Sequence, residues 1–255
     1  KSQAKIWDGR EVLSELVEKH GGINVSEKYN EALCNIFSVI LEGELAAWNV
    51  SLQLAEMLQD PAAKMAATSQ AHDESRHFYV MRDYLDLYNR EIPKVPGAVR
   101  EALDMVLSTD NLAKKLLGMQ LMVEPVALTI FQEVRRVSPE PVLSDLLEFF
   151  EIDEARHVAL GVHHLPEVVR DLGPVRVMSL IMWQMKIFML ELKGLKKLRP
   201  HFEAIGLNAE DLFSLAEKKQ LDALKDFVSE LGMSPTVWEP IRYFVKYQKK
   251  RVLSD

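Results

Sequence analysis

A five-residue string occurs twice in this chain, as Asp73-Glu74-Ser75-Arg76-His77 and Asp153-Glu154-Ala155-Arg156-His157, at an offset of 80 residues. The same offset carries Glu44 onto Glu124 and Pro61 onto Pro141. Each half therefore reads as a helix with one Glu, a short turn at a proline, and a second helix with Asp-Glu-x-Arg-His: a duplicated two-helix unit. Residues three apart on a helix share a face, so Glu74 with His77, and Glu154 with His157, can reach a common point. Glu44 lies 17 residues before Pro61 and Glu74 lies 13 after it. Going up and then down a hairpin at equal rise per residue, the two reach similar heights, and the second half repeats the arrangement. The pattern thus gathers four carboxylates and two imidazoles, a set of oxygen and nitrogen donors suited to iron or manganese more than to a thiolate metal. Glu42 competes with Glu44, but the repeat offset and the apolar Leu45-Ala46-Ala47-Trp48 beside it favour Glu44.

The rest of the chain reads as helix. Ser26 caps a helix over residues 27–59, in which apolar residues recur every three or four positions. Asp60-Pro61 opens a second helix to Tyr88, with Asp60 as N-cap and Pro61 at the first helical position. Residues 99–107 form a short extra helix, and a third long one spans 110–137. Pro125, directly after Glu124, removes a backbone donor and should distort that helix beside the candidate metal ligands. After the Ser138-Pro139-Glu140-Pro141 connector, a fourth helix runs to about His164, where Pro166 kinks or ends it. A fifth runs from Gly173-Pro174 to Leu198, closed by Arg199-Pro200. Two more are expected at 208–231 and 235–252, the last capped by Ser234. Tight connections within each hairpin, and about twenty residues between helices two and three, give two antiparallel hairpins joined by a long crossover. The expected architecture is all-α: one helical domain over 1–255, with a ferritin-like four-helix bundle at 26–170 carrying the metal site and a C-terminal helical extension at 171–255.

Composition narrows the function. The 255-residue chain carries a net charge of −7, which argues against a general nucleic-acid binder, because phosphate affinity needs clustered Lys and Arg. One cysteine, Cys34, excludes a disulfide framework and a Cys-rich zinc or iron–sulfur site, and fits a reducing compartment. The first residues show no apolar leader, and the most apolar stretch, Val175 to Leu192, is interrupted by Arg176, Gln184 and Lys186. A cytoplasmic protein without a transmembrane segment is the expectation.

With these motifs the chain resembles the oxygen-activating branch of the ferritin-like di-iron carboxylate proteins, over about residues 26–165. That branch includes the small subunit of class I ribonucleotide reductase and the hydroxylase subunits of bacterial multicomponent monooxygenases. The Asp-Glu-x-Arg-His form in both halves looks most like the hydroxylases. The resemblance implies two iron ions (or a Mn/Fe pair), O2 as co-substrate, and Glu44, Glu74, His77, Glu124, Glu154 and His157 as ligands, two of the glutamates bridging. It also implies that Asp73 and Asp153 orient the ligand histidines while Arg76 and Arg156 neutralise the aspartates. The chain departs from the reductase pattern where a radical Tyr would stand four residues after the first ligand His; that place holds Met81.

The expected function is an O2-activating oxidase or oxygenase acting on a small or lipid-like organic molecule. It would take electrons from a ferredoxin- or flavoprotein-type donor. Ferroxidase metal handling and a ribonucleotide-reductase-like small subunit are the alternatives. Ala47, Ala127 and Gly161, one turn from ligands, would leave room for O2 and substrate, whereas Trp48, Phe78 and Phe131 would fill the bundle. Tyr84 and His164, each seven residues beyond a ligand His, and Met81 are candidates for a cavity or proton path. The apolar fifth helix, with Met178, Met182, Met185 and Met189 in a stripe, suggests a homodimer. Basic clusters at Lys193-Lys196-Lys197-Arg199 and Lys246-Lys249-Lys250-Arg251 would suit an acidic donor protein.

Overall fold

A computed structural model of the chain describes residues 6–88, 91–230 and 238–254, and the described residues contain no strand. Its elements are α1 (Gly9–His20), α2 (Glu27–Met57), α3 (Pro61–Asp86), α4 (Gly97–Leu107), α5 (Leu112–Gly118), a π-helical turn (Met119–Val123), α6 (Glu124–Val137), α7 (Pro141–Val169), α8 (Pro174–Ala204), α9 (Ala209–Glu230) and α10 (Trp238–Ser254).

The helix starts follow the sequence signals. Ser26 accepts from the Tyr29 amide at 3.3 Å and Asp60 from the Ala63 amide at 2.7 Å, with Pro61 supplying the fixed φ that opens α3. At the matching place in the second half, Glu140 accepts from the Val142 and Leu143 amides, and Pro141 opens α7. α2 packs against α3 and α6 against α7, which are the two expected hairpins, and α4 lies in the crossover between them. α3 and α7 also touch, bringing the two Asp-Glu-x-Arg-His copies together. Outside this bundle, α8 lies on α2 and α4, α9 on α6 and α8, and α10 on α8.

Three features depart from the sequence expectation. Residues 9–20 form a helix, α1, which packs on α7 and α3 through Leu13 and Leu16 and is capped by Asp8. Neither Pro166 nor Pro200 closes its helix: α7 continues to Val169 and α8 to Ala204. Each proline sits in the last turns, where one lost backbone bond frees a carbonyl that water can reach; for Pro166 that carbonyl belongs to Val162, which is exposed. The expected start of the last helix at Ser234 lies outside the described residues.

The third departure is more local. The expected helix over 110–137 is interrupted by the five-residue π turn, which ends with the Glu124 amide donating to the Met119 carbonyl. Pro125 follows at once and has no amide to continue an α ladder there, so the expected distortion lies on its N-terminal side. α2 is long and apolar enough to cross a membrane by length and composition, but 61% of its most apolar window is buried inside the bundle.

Candidate metal centre

The two halves of the repeat converge on one buried pocket of charge. Glu44, Glu74, His77, Glu124, Glu154 and His157 are all buried, at 0–4% exposure. Two overlapping groups have ligand atoms within 4.8 Å of one another: Glu44, Glu74, His77 and Glu154, and then Glu74, Glu124, Glu154 and His157. Glu74 and Glu154 belong to both. Glu74 directs Oε2 towards His77 Nδ1 at 3.6 Å and Oε1 towards His157 Nδ1 at 2.9 Å. Glu154 mirrors it, with Oε1 3.2 Å from His77 Nδ1 and Oε2 3.3 Å from His157 Nδ1. Glu44 sits at the His77 end at 3.2 Å, and Glu124 at the His157 end at 4.0 Å. The result has two ends, each with one terminal Glu and one imidazole Nδ1, and two glutamates spanning them.

Such a cluster does not balance by itself. Four buried carboxylates face two imidazoles, and charges removed from water need compensation. Burial drives the carboxyls of Glu44 and Glu124 well above the ordinary range, with neighbouring glutamates adding to the effect. Burial acts the same way on Glu74 and Glu154, but the imidazoles, His157 foremost, hold these two below it. The imidazoles themselves are pushed down by burial and held well above the usual value by surrounding carboxylates, Asp153 first for His77 and Glu74 first for His157. Glu74 Oε2 and Glu154 Oε1 are enclosed and form no hydrogen bond, although each lies within ion-pair distance of His77 Nδ1. Carboxylate oxygens and Nδ1 atoms turned towards one another without hydrogen bonds, in an oxygen-and-nitrogen donor set, are what divalent iron or manganese would complete.

Around the cluster stands a layer of charge pairs. The far nitrogen of each imidazole faces an aspartate from the other half: His77 Nε2 lies 3.2 Å from Asp153 Oδ2, and His157 Nε2 lies 3.4 Å from Asp73 Oδ2. Arg76 donates to Asp73 at 2.6 Å and to Asp153 at 2.7 Å, while Arg156 donates to Asp153 at 2.6 Å and to Asp73 at 3.0 Å. Two arginines thus bridge two aspartates in a closed square, and each aspartate fixes one imidazole with Nδ1 turned inward. The four residues expected around the ligands are together, and the pairing crosses between the halves.

Several contributors carry no sequence motif. Trp7, just before α1, donates from Nε1 to Asp153 Oδ2 at 2.9 Å and lies under the Arg76 guanidinium at 4.5 Å. Phe150 stacks on His77 with ring centres 4.1 Å apart. Gln70 donates to Glu74 at 3.0 Å and to Glu124 at 2.9 Å, and receives Gln120 Nε2 from the π turn at 3.3 Å. Gln70 and Gln120 lie four residues before Glu74 and Glu124, the spacing that puts side chains on one helix face, whereas Trp7 comes from a segment with no signal in the sequence.

A cavity of about 80 Å³ adjoins the cluster, lined by Glu44 and Glu124 and, among apolar residues, by Ala47, Leu103, Ala127 and Leu195. Ala47 and Ala127 are therefore where they were expected. Gly161 is not: a Cβ there would fall 2.5 Å from Gln120 Cβ, so it lets the π turn approach α7. Met81, Tyr84 and Phe131 are packed in the core, and Trp48 lies against Phe78. Tyr84 donates to Glu140 at 2.9 Å and is paired with Tyr88, holding the start of α7. His164 lies near the surface, 3.9 Å from Glu167. Gly161, Met81, Tyr84, Phe131, Trp48, Phe78 and His164 do not line the cavity. His72 and His163 are exposed.

No protein-family model matches the chain, and no curated protein does either. Solved structures do. A Synechococcus protein with aldehyde deformylating oxidase activity aligns with a TM-score of 0.65 at 17% identity, covering 90% of this chain and 97% of that one. A provisionally assigned class I ribonucleotide reductase from Bacillus halodurans gives 0.64 at 16% identity, covering 95% of each. A mutant of an R2-like ligand-binding oxidase, with an aerobically reconstituted Mn/Fe cofactor, gives 0.51 at 12% identity, covering 97% of this chain and 87% of that one. The chain shares with these structures its helical fold, the ferritin-like bundle that the sequence led one to expect. It positions a candidate metal cluster of four glutamates and two histidines.

Proposed function

We propose that the chain is an O2-activating oxidoreductase whose six buried residues hold two metal ions, iron with iron or manganese with iron, and which oxidises a small, largely apolar organic molecule. Glu44, Glu74, His77 and Glu154 would hold one ion, and Glu74, Glu124, Glu154 and His157 the other. The observation that carries this reading is the divided aim of Glu74 and Glu154, each presenting one oxygen to each imidazole. The similar structures, a protein with aldehyde deformylating oxidase activity and an R2-like oxidase with a Mn/Fe cofactor, support the same class.

When bound, a pair of such metals supplies electrons to O2 and carries the oxidising chemistry. The chain's own work is positional. Asp153 and Asp73 keep the imidazoles in the tautomer that leaves Nδ1 free, and the two arginines keep those aspartates ionised. Gln70 restrains Glu74 and Glu124 while leaving Glu44 and the cavity side clear. The apolar lining excludes water from the place where substrate would sit, next to Glu44 and Glu124. An external donor protein would supply electrons, and the basic residues of α8 and α10 are its candidate landing place. Ferroxidase storage and a reductase-type partner role are not favoured, since neither needs an apolar chamber beside the cluster.

The test is single-turnover oxidation. Protein loaded with iron, or with manganese and iron, is chemically reduced and mixed with oxygenated buffer while dissolved O2 is followed. The expected result is fast O2 uptake in proportion to bound metal, abolished in Glu74→Ala and Glu154→Ala. O2 uptake independent of bound metal, or a correctly loaded protein inert to O2, contradicts the reading.

A further inference from the structure

The cavity beside the cluster holds one polar group that the metal reading leaves without a task. Glu191, on α8, lines it opposite residues of α2 and α6. Both of its carboxyl oxygens are enclosed, and neither has a hydrogen-bond partner. Apart from Glu44, Glu124 and Glu191 the lining is apolar or glycine, with no lysine, arginine or histidine among it. Burial alone pushes the Glu191 carboxyl up to about 8, so at neutral pH it is an acid with a proton to donate. An unsatisfied buried carboxyl is a cost in the empty protein, and a ligand that brings a hydrogen-bonding atom removes that cost.

We propose that Glu191 is a substrate-positioning residue: its carboxyl hydrogen-bonds the one neutral oxygen, hydroxyl or carbonyl, of a slender and otherwise apolar molecule held in this cavity. The proposal deepens the reading of the cavity as the substrate chamber, and rests on it. The chemistry of the walls decides against charged partners. A carboxylate ligand would meet Glu44 and Glu124 in the same space, and an ammonium would have to shed its water in an apolar lining and take the proton from the neutral Glu191 carboxyl, a buried ion pair whose desolvation can cost more than its attraction returns. A neutral oxygen needs one partner, and Glu191 offers it. The pocket is partly open, and its enclosed volume of about 80 Å³ restricts the occupant to a thin chain, of which one part extends into the open space. With the oxygen tied to α8, the chain's methylenes lie against Ala47, Leu103 and Ala127 on the way to the cluster.

The experiment measures binding, not turnover. Octan-1-ol, n-octane and octylamine are titrated into iron-loaded and metal-free full-length protein, for the unsubstituted chain, Glu191→Leu and Glu191→Gln, with metal content assayed on the same samples. Octanol should bind in preference to octane and octylamine. Glu191→Leu should weaken octanol about three- to tenfold while octane holds or improves, and Glu191→Gln, which keeps a donor and an acceptor, should retain most of the preference. Thermal melting separates positioning from structure: a residue there for ligand raises the melting temperature of the empty protein when changed to Leu, whereas a structural one lowers it. Octanol binding unaffected in Glu191→Leu, a preference for octylamine, or no binding of octanol by the unsubstituted chain overturns the assignment. Loss of metal content with octanol selectivity intact would sink the metal reading and leave Glu191 as the ligand anchor.

Discussion

His77 takes its carboxylate partner from the other half of the repeat: its Nε2 lies 3.2 Å from Asp153, on α7, although Asp73 is on its own helix. Asp153 is also held by Arg76, Arg156 and Trp7, so one side chain ties α3, α7 and the segment before α1 together. Asp153→Asn leaves two arginines facing a neutral amide in a buried site. The expected loss is about 3–5 kcal/mol in the metal-free protein, read by urea denaturation, because removing one partner strands the other's charge. Metal affinity, read by competition with a chelator, should fall about 10- to 100-fold as His77 loses its orientation.

At Gly161 the backbone of α7 lies against the π turn, with no room for a side chain beside Gln120 and Leu121. Gly161→Ala would place a methyl group 2.5 Å from Gln120 Cβ, so the turn must shift. Gln120 donates to Gln70, which donates to Glu74 and Glu124, so the shift reaches the ligands. Overpacking of this kind costs about 1–3 kcal/mol. The expected outcome is a lower melting temperature together with a lower metal content per chain. Unchanged metal content would show that the π turn does not set the position of Glu124.

The cluster was legible in the sequence because the duplication doubled each signal: Glu44 had its counterpart in Glu124, and Asp-Glu-x-Arg-His had its copy. What could not be read was anything decided by the relative rotation of the two hairpins. Residue order allows Asp73 to serve either imidazole, and only packing of α3 on α7 gives it to His157. Trp7, before α1, and Glu191, on α8, lie outside the duplicated unit, where no repeat marks them. Pro200 does not close α8, and of the two outcomes open at Pro166 the helix does not end there, because a proline near a solvated C-terminus loses a bond that water replaces.

Tyr84 was a sequence candidate for a proton path, and the structure gives it a different task. Its hydroxyl donates to Glu140, whose carboxylate also accepts the Val142 and Leu143 amides at the start of α7. Tyr84→Phe should lower stability by about 1.5–3 kcal/mol, the scale of one hydrogen bond to a charged group. Metal content and single-turnover O2 uptake should be unchanged. A loss of turnover at full metal occupancy would restore the catalytic role.

Glu191 gives the stability a slope with pH. Its carboxyl stands at about 8 in the folded chain against an ordinary 4.5. Between those values the unfolded chain has released this proton while the folded chain keeps it, so the folded state binds more protons and stability falls as pH rises. Above about 8 both states have lost it and the slope ends. In Glu191→Gln the contribution is missing. The difference in melting temperature, unsubstituted chain minus Glu191→Gln, should grow more negative from about pH 4.5 to about pH 8 and then level off. A difference flat across that range would mean that the carboxyl is solvated.

The central claim is that Glu74 and Glu154 span two metal positions. Crystals of protein prepared with iron and manganese, with anomalous diffraction collected at both absorption edges, test it most directly. The expected map shows two peaks per chain about 3.5–4 Å apart, as carboxylate-bridged pairs are, with oxygens of Glu74 and Glu154 reaching both and the Nδ1 atoms of His77 and His157 on one each. A map with no anomalous peak within reach of both glutamates, or with a single ion held away from His157, would contradict it.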